Sequence, residues 1–235
     1  MTAPPMVQQL LAPKAGHRLD EYEDAATTSP GGTWPLRLAV ADGATETAFA
    51  GAWARHLTQA WVMEDGLATT PEAVTTWQHR WHATQPTRQH GLPWYAVAKA
   101  EQGAFAALLG AEIHADGTWG AWAVGDCNLM VLRAGAWHLT WPFSTPEAFT
   151  ATPALLSSRP DASVPPAQTI AGTWSPGDTF VLATDALAAF LLAAPPPPTL
   201  TTWTEADFQR VTEAARTQRT LRNDDVTLLI TTMPA

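Results

Sequence analysis

Cysteine occurs once in the 235 residues, at Cys127. A lone thiol forms no intrachain disulfide, and no Cys/His spacing has the pattern of a zinc site, so the chain fits a reducing cytoplasm. Charge is scarce as well: 15% of residues are charged against 46% hydrophobic, a balance that excludes intrinsic disorder. Cations are the scarcer sign, 13 Lys and Arg against 22 Asp and Glu, and they form no run or stripe. With a net charge of −9, recognition of a nucleic-acid backbone is excluded. No apolar stretch approaches the roughly 18 residues of a membrane-spanning helix. The N-terminal segment also lacks the charged-then-apolar layout of a signal peptide, so a soluble, unexported protein is expected. Two nucleophile signatures are missing too: Cys127 lies in no Cys-x5-Arg loop, and no Gly-x-Ser-x-Gly elbow occurs.

What is present is a succession of short apolar segments. Leu36 to Ala41 reads as a buried strand ending at Asp42-Gly43, and from Glu46 to about Met63 apolar residues recur with helical period. Helices are expected from Pro71 to Ala83, with proline suited to the first turn, and from Pro93 to Glu101. The pattern then changes to Gly-punctuated runs: Ala104 to Ile113, Trp119 to Val124, Asn128 to Arg133 and Trp137 to Thr140, an antiparallel meander. Trp141 to Pro166, dominated by Pro, Ser and Thr, reads as a loop. Strands follow at Gln168 to Trp174 and Thr179 to Ala183, then helices from Asp185 to about Leu192 and from Glu205 to Thr217, and a last strand from Val226 to Thr231. Strands outnumber helices, and helices arrive in pairs between blocks of strand. One domain over residues 1–235 is expected, an α+β fold with sheet packed on sheet and helices outside. The 12 tryptophans fit aromatic packing in layered cores.

Acidic residues stand at the edges of these elements: Glu23-Asp24, Asp42 after a strand, Asp185 after another, and Asp224 before the last strand. An aspartate in such a place is ordinarily a turn former or helix N-cap. Several carboxylates converging on one spot would instead repel unless hard divalent cations, which prefer oxygen ligands, sat between them. The seven histidines have no metal spacing, although His79 and His82 lie three apart on an expected helix.

Five segments taken in order, Glu23-Asp24-Ala25, Ala39-Val40-Ala41-Asp42-Gly43, Val124-Gly125-Asp126, Leu182-Ala183-Thr184-Asp185 and Asn223-Asp224-Asp225-Val226-Thr227, resemble the motifs of the metal-dependent type 2C (PPM) serine/threonine protein phosphatases, in a divergent bacterial branch. The resemblance extends over nearly the whole chain. It implies a four-layer αββα sandwich of two antiparallel sheets, and hydrolysis of phosphoserine and phosphothreonine in a protein substrate, opposing a Ser/Thr kinase. Two Mn²⁺ or Mg²⁺ ions would activate a water as the nucleophile. Residue by residue, Asp42 resembles the carboxylate bridging the ions, the Gly43 carbonyl a ligand to one, and Asp24, Asp185 and Asp224 ligands to the pair. Glu23 would act through metal-bound water, and Asp126 with Asp185 would hold a third, weaker ion. Asp42 and Asp185 thus carry the catalytic role. Arg18, one residue further from the Glu-Asp pair than is usual, is the candidate for holding the substrate phosphate; its alternative is a surface charge beside Asp20 and Glu21.

Three departures accompany the resemblance. Ala44-Thr45-Glu46 follows Asp42-Gly43 where the family has x-Gly-Gly, Ala186 follows Asp185 where Gly is usual, and Asn128 stands where the family has arginine. The position after Asp-Gly, a histidine in some members, is Ala44, which leaves the general acid unidentified. Two other functions therefore stand beside the first: a weak or inactive phosphatase-like module that binds a phosphorylated partner, and a phosphatase of small phosphoesters. The scarcity of basic residues from Trp141 to Pro166, where the family shapes its substrate site, motivates the latter.

Overall fold

Alternation of residue size along the strands decides which face of each sheet meets which layer. The computed structural model describes residues 5–31, 33–44, 49–84, 102–149 and 152–234. In chain order the elements are β1 (Val7–Ala12), β2 (Ala25–Thr28), β3 (Leu36–Gly43), α1 (Ala50–Ala60), α2 (Pro71–Ala83), β4 (Phe105–Ile113), β5 (Thr118–Val124), β6 (Asn128–Arg133), β7 (Ala136–Trp141), β8 (Leu156–Ser157), β9 (Gln168–Thr173), β10 (Thr179–Ala183), α3 (Asp185–Leu192), α4 (Glu205–Thr217) and β11 (Val226–Thr232). One sheet has the order β1-β11-β10-β6-β7 and the other β2-β3-β4-β5-β9, with β8 paired to β4; every pairing is antiparallel.

The large residues of β3 and β4, Leu36, Leu38, Val40, Leu109 and Ile113, join Leu129 and Val131 of β6, Phe180 and Leu182 of β10 and Leu229 of β11 in the core between the sheets. On the opposite face of β3 and β4 the residues are mostly small, Ala39, Ala41 and Ala106 with Leu108, and there α1 and α2 lay down Trp53, Trp77 and Trp81. A Cβ on Gly110 would stand 2.3 Å from the Trp61 ring, so glycine is what lets that indole lie flat on β4. Several of the tryptophans therefore have a place: they fill the layer that a face of alanine and glycine leaves thin. The other sheet carries Val181, Ala183, Leu228 and Ile230 toward Leu187, Leu191, Phe208 and Ala215 of α3 and α4. The result is helix, sheet, sheet, helix: the expected α+β four-layer sandwich.

Local chemistry sets the helix starts. Thr70 accepts a hydrogen bond from the Ala73 amide with Pro71 in the first turn of α2, and Thr204 and Asp207 cap α4 reciprocally. Among the described residues, no helix is long and apolar enough to cross a membrane.

Several expectations need correction. The helix expected from Glu46 to Met63 is α1 from Ala50 to Ala60 followed by a π-helical turn, Trp61–Asp65, and its expected first turn lies outside the described residues. The helix expected from Pro93 to Glu101 also lies outside them. Both β1 and β2 were unexpected. Each is an edge strand, one interrupted by Gln8-Gln9 and the other made of Ala25-Ala26-Thr27-Thr28, so neither has the run of large apolar residues that marks a buried strand. The segment expected as loop from Trp141 to Pro166 contains the two-residue strand β8. Its Leu156 and Ser157 carbonyls accept hydrogen bonds from Trp53 Nε1 and Gln78 Nε2, both 2.9 Å, so helix side chains supply what its own sequence does not.

Candidate metal centre

Antiparallel packing places one end of β3, β5, β6, β10 and β11 together, and the acidic residues lie at those strand ends. Asp42 is the penultimate residue of β3; Asp126 is in the β5–β6 turn; Asp185 opens α3 after β10; Asp224 precedes β11; Asp24 precedes β2. Oxygens of Asp42, Asp126 and Asp185 all lie within 4.8 Å of one another. Asp126 and Asp185 are buried and Asp42 is partly exposed.

Around these three, the remaining residues are held in place. Asp24 is buried, and its Oδ2 accepts hydrogen bonds from the hydroxyls of Thr184 and Thr227, each 2.9 Å, with the Tyr22 hydroxyl at 3.5 Å. Glu23 lies against Lys14 Nζ at 3.2 Å. The neighbouring Asp225 fixes both strands of this loop by accepting from the Lys14 and Glu23 amides, both 2.8 Å, so it acts as a brace. A Cβ on Gly43 would come within 2.6 Å of the Glu23 carbonyl oxygen and 2.8 Å of the Ala50 carbonyl carbon. Only glycine permits that approach of β3 to the Glu23 backbone and the start of α1. At the head of α3, Asp185 Oδ1 accepts from the Ala186 amide at 2.5 Å.

The electrostatics follow from crowding. Burial pushes the carboxyl of Asp42 well above the aspartate range, and Asp24, Asp185, Asp126 and Asp224 push it further. Burial also raises Asp24 to about 8, its two threonine hydrogen bonds opposing the rise, and burial with the charge of Asp185 raises Asp126 to about 7. Asp224 is raised by burial and Asp185, with Arg222 working in the other direction. A set of oxygen donors this close, whose charges resist one another, suits a hard divalent cation, whose positive charge reverses those shifts.

Comparison with known proteins bears on the fold. No family model matches the chain, and no curated protein matches it. Among solved structures, the photosystem II phosphatase PBCP matches with a TM-score of 0.64 at 14% identity, over 98% of this chain and 99% of that one. The S. agalactiae serine/threonine phosphatase matches with a TM-score of 0.63 at 14% identity, over 97% and 100%. RsbX in complex with magnesium matches with a TM-score of 0.51 at 15% identity, over 98% and 99%. The fold is the PPM phosphatase fold.

Within this PPM fold the sequence-expected residues divide. Asp42, Asp126 and Asp185 come together, and Asp24 and Asp224 stand close enough to shift Asp42. Arg18 is apart in its contacts: it is largely exposed and pairs with Asp20 at 2.7 Å, on a turn where its amide binds Glu21. A guanidinium that the sequence did not flag does pair with carboxylates of the cluster: Arg222, with Asp185 and, at 3.3 Å, with Asp224. Its signal was proximity, two residues before Asp224, but position in a turn does not reveal where a long side chain points. Asn128, which stands where the family has arginine, binds the Phe143 backbone twice, at 3.1 and 2.9 Å, and ties the segment after β7 to the start of β6. Cys127 is buried in the inter-sheet core, and burial followed by the charges of Asp42 and Asp126 raises its thiol, which keeps it protonated. His56 packs on Trp53 and Trp81, with its Nε2 3.0 Å from the Trp77 carbonyl oxygen.

Proposed function

We propose that the chain, as one domain over residues 1–235, is a metal-dependent phosphomonoester hydrolase that dephosphorylates phosphoserine and phosphothreonine in proteins, in the cytoplasm and opposite a Ser/Thr kinase. The observation that carries this reading is the convergence of Asp42, Asp126 and Asp185 within 4.8 Å in a PPM fold. RsbX, one of the fold's solved examples, is described with magnesium, which supports Mg²⁺ or Mn²⁺ as the ion here.

Asp42, Asp24, Asp185, Asp224 and the Gly43 carbonyl would hold two ions, and Asp126 with Asp185 would hold a third. When bound, the ions supply Lewis-acid polarisation of phosphoryl oxygens and lower the pKa of water. The chain does the rest. Thr184 and Thr227 fix the Asp24 carboxylate, Lys14 orients Glu23 for a contact through water, and the Gly43 close approach sets the height of β3 under the site. Cys127, buried with its thiol held protonated, is not a competing nucleophile.

A second reading, a phosphatase-like module that binds a phosphorylated partner without turnover, is favoured by one observation: Arg222 already occupies Asp185 and Asp224. Hydrolysis of a phosphothreonine peptide and of para-nitrophenyl phosphate in Mn²⁺, by the wild type and by Asp185→Asn, separates the two. Turnover by the wild type that the variant lacks supports the enzyme; Mn²⁺ binding without turnover of either ester supports the module. Turnover of the small ester alone would redirect the substrate to small phosphoesters.

A further inference from the structure

Among the described residues, Arg222 is the one guanidinium in an ion pair with a carboxylate of the cluster; Arg216 reaches Asp224 at its backbone carbonyl, 2.6 Å away. Arg18, Arg37, Arg80, Arg133, Arg159 and Arg210 are each paired with a carboxylate elsewhere. Arg222 touches Asp185 and Asp224, and its charge is felt at Asp42 and Asp126 as well. Its side chain is 52% exposed while that of Asp185 is 7% exposed, so the guanidinium caps the carboxylates from the solvent side. Ion pairs thus hold it at a half-exposed position.

Two consequences follow from elementary electrostatics. A cation entering between Asp185 and Asp224 must take oxygens that Arg222 now holds, and the two positive charges repel. The released guanidinium keeps its planar fork of donors at the mouth of the site, where the nearest acceptor of matching geometry is the phosphate of a bound monoester. We propose that Arg222 is a two-position residue: counter-ion to Asp185 and Asp224 before cations bind, and phosphate-binding group once they have, a role that rests on the metal-dependent reading of the site. It takes the phosphate-holding task that the sequence assigned to Arg18.

The test uses the full chain as wild type, Arg222→Ala and Arg222→Lys. Mn²⁺ is titrated calorimetrically without phosphate, and inorganic phosphate is then titrated into the Mn²⁺-loaded proteins. Removing a charge-assisted competitor should tighten Mn²⁺ about tenfold in Arg222→Ala, and removing a bidentate donor should weaken phosphate about tenfold. Arg222→Lys, which keeps the charge and loses the fork, should retain wild-type Mn²⁺ affinity while losing part of the phosphate affinity. Unchanged or weaker Mn²⁺ binding in Arg222→Ala overturns the proposal, and so does unchanged phosphate binding. Failure of both the wild type and Arg222→Ala to bind Mn²⁺ would overturn the metal centre itself.

Discussion

The two ends of the sandwich treat carboxylates in opposite ways. At the end where β3 finishes and β11 begins, Asp24, Asp42, Asp126, Asp185 and Asp224 crowd together, and among the described residues Arg222 is the guanidinium paired with their carboxylates. At the other end, buried carboxylates each have a cation. Glu112, opposite Arg37 in the β3–β4 register, is 2.7 Å from Arg37 Nε and 3.1 Å from His114. Asp178, before β10, takes both branches of Arg133 at 2.6 and 2.7 Å and the Ser175 amide at 2.8 Å. The hydrogen bonds from Arg133 hold the Asp178 carboxyl below the ordinary range, whereas burial and neighbouring charges hold Asp24, Asp42 and Asp126 above it. One end is electrostatically balanced; at the other, raised carboxyls show that the described cations do not offset the crowded aspartates.

Substitution at each end should break this contrast in opposite directions, and the largest effect is expected at Asp42. Asp42→Asn should lower Mn²⁺-dependent phosphatase activity by on the order of 100-fold or more, since even residues outside the ligand shell contribute 10- to 100-fold in metal sites. The same change should lessen the loss of stability of the metal-free protein as pH rises, because it removes a carboxyl whose ionisation burial and the neighbouring carboxylates oppose. A variant that keeps its activity, or that loses stability with rising pH as steeply as the wild type, would count against the crowding.

Next in size is Asp178→Asn. It leaves Arg133 and the Ser175 amide without their charged partner and should destabilise the fold by about 2 kcal/mol, tempered by the partial exposure of Arg133. Phosphatase turnover by the folded protein should stay at the wild-type level, and urea unfolding beside a kinetic assay checks both.

The ends also predict opposite pH slopes in the metal-free protein. Asp24 and Asp126 have raised carboxyls, so the native state holds protons that the unfolded chain gives up near pH 4. Their contribution is complete below about pH 4 and is lost as pH rises through about 7 to 8. Asp178 is lowered, so its contribution is present above about pH 4 and is lost as pH falls below that. Thermal melts across pH should show an alkaline decline that Mn²⁺ reverses and that Asp126→Asn flattens. A decline unaffected by either would contradict the assignment.

The smallest effect should come from Asn128→Ala, which removes two hydrogen bonds to Phe143 and should destabilise by about 1 kcal/mol. Hydrogen exchange should rise in residues 142–149 and stay level around Asp178.

How far the sequence showed this depended on whether a feature was local. Strands with large alternating residues, such as Leu36-Leu38-Val40 facing the inter-sheet core, were legible because period alone marks a buried face. Edge strands β1 and β2 were not: β1 pairs with a partner at the far end of the chain, Leu10 with Leu228, and β2, Ala25-Ala26-Thr27-Thr28, has no large apolar residue to mark it. Among the acidic residues, types and strand-end positions were visible, but only the register of two sheets brings Asp126 of one turn beside Asp42 and Asp185. Arg222 shows the limit most clearly, because its part is decided by a side-chain direction that no spacing encodes.

Proton release on Mn²⁺ binding tests the central claim most directly, measured by calorimetry at about pH 6.5 in two buffers of different ionisation enthalpy. If the crowded aspartates hold protons in place of absent cations, saturable Mn²⁺ binding will expel them, and the observed heat will depend on the buffer. Absence of saturable binding, or binding whose heat is the same in both buffers, would contradict the account.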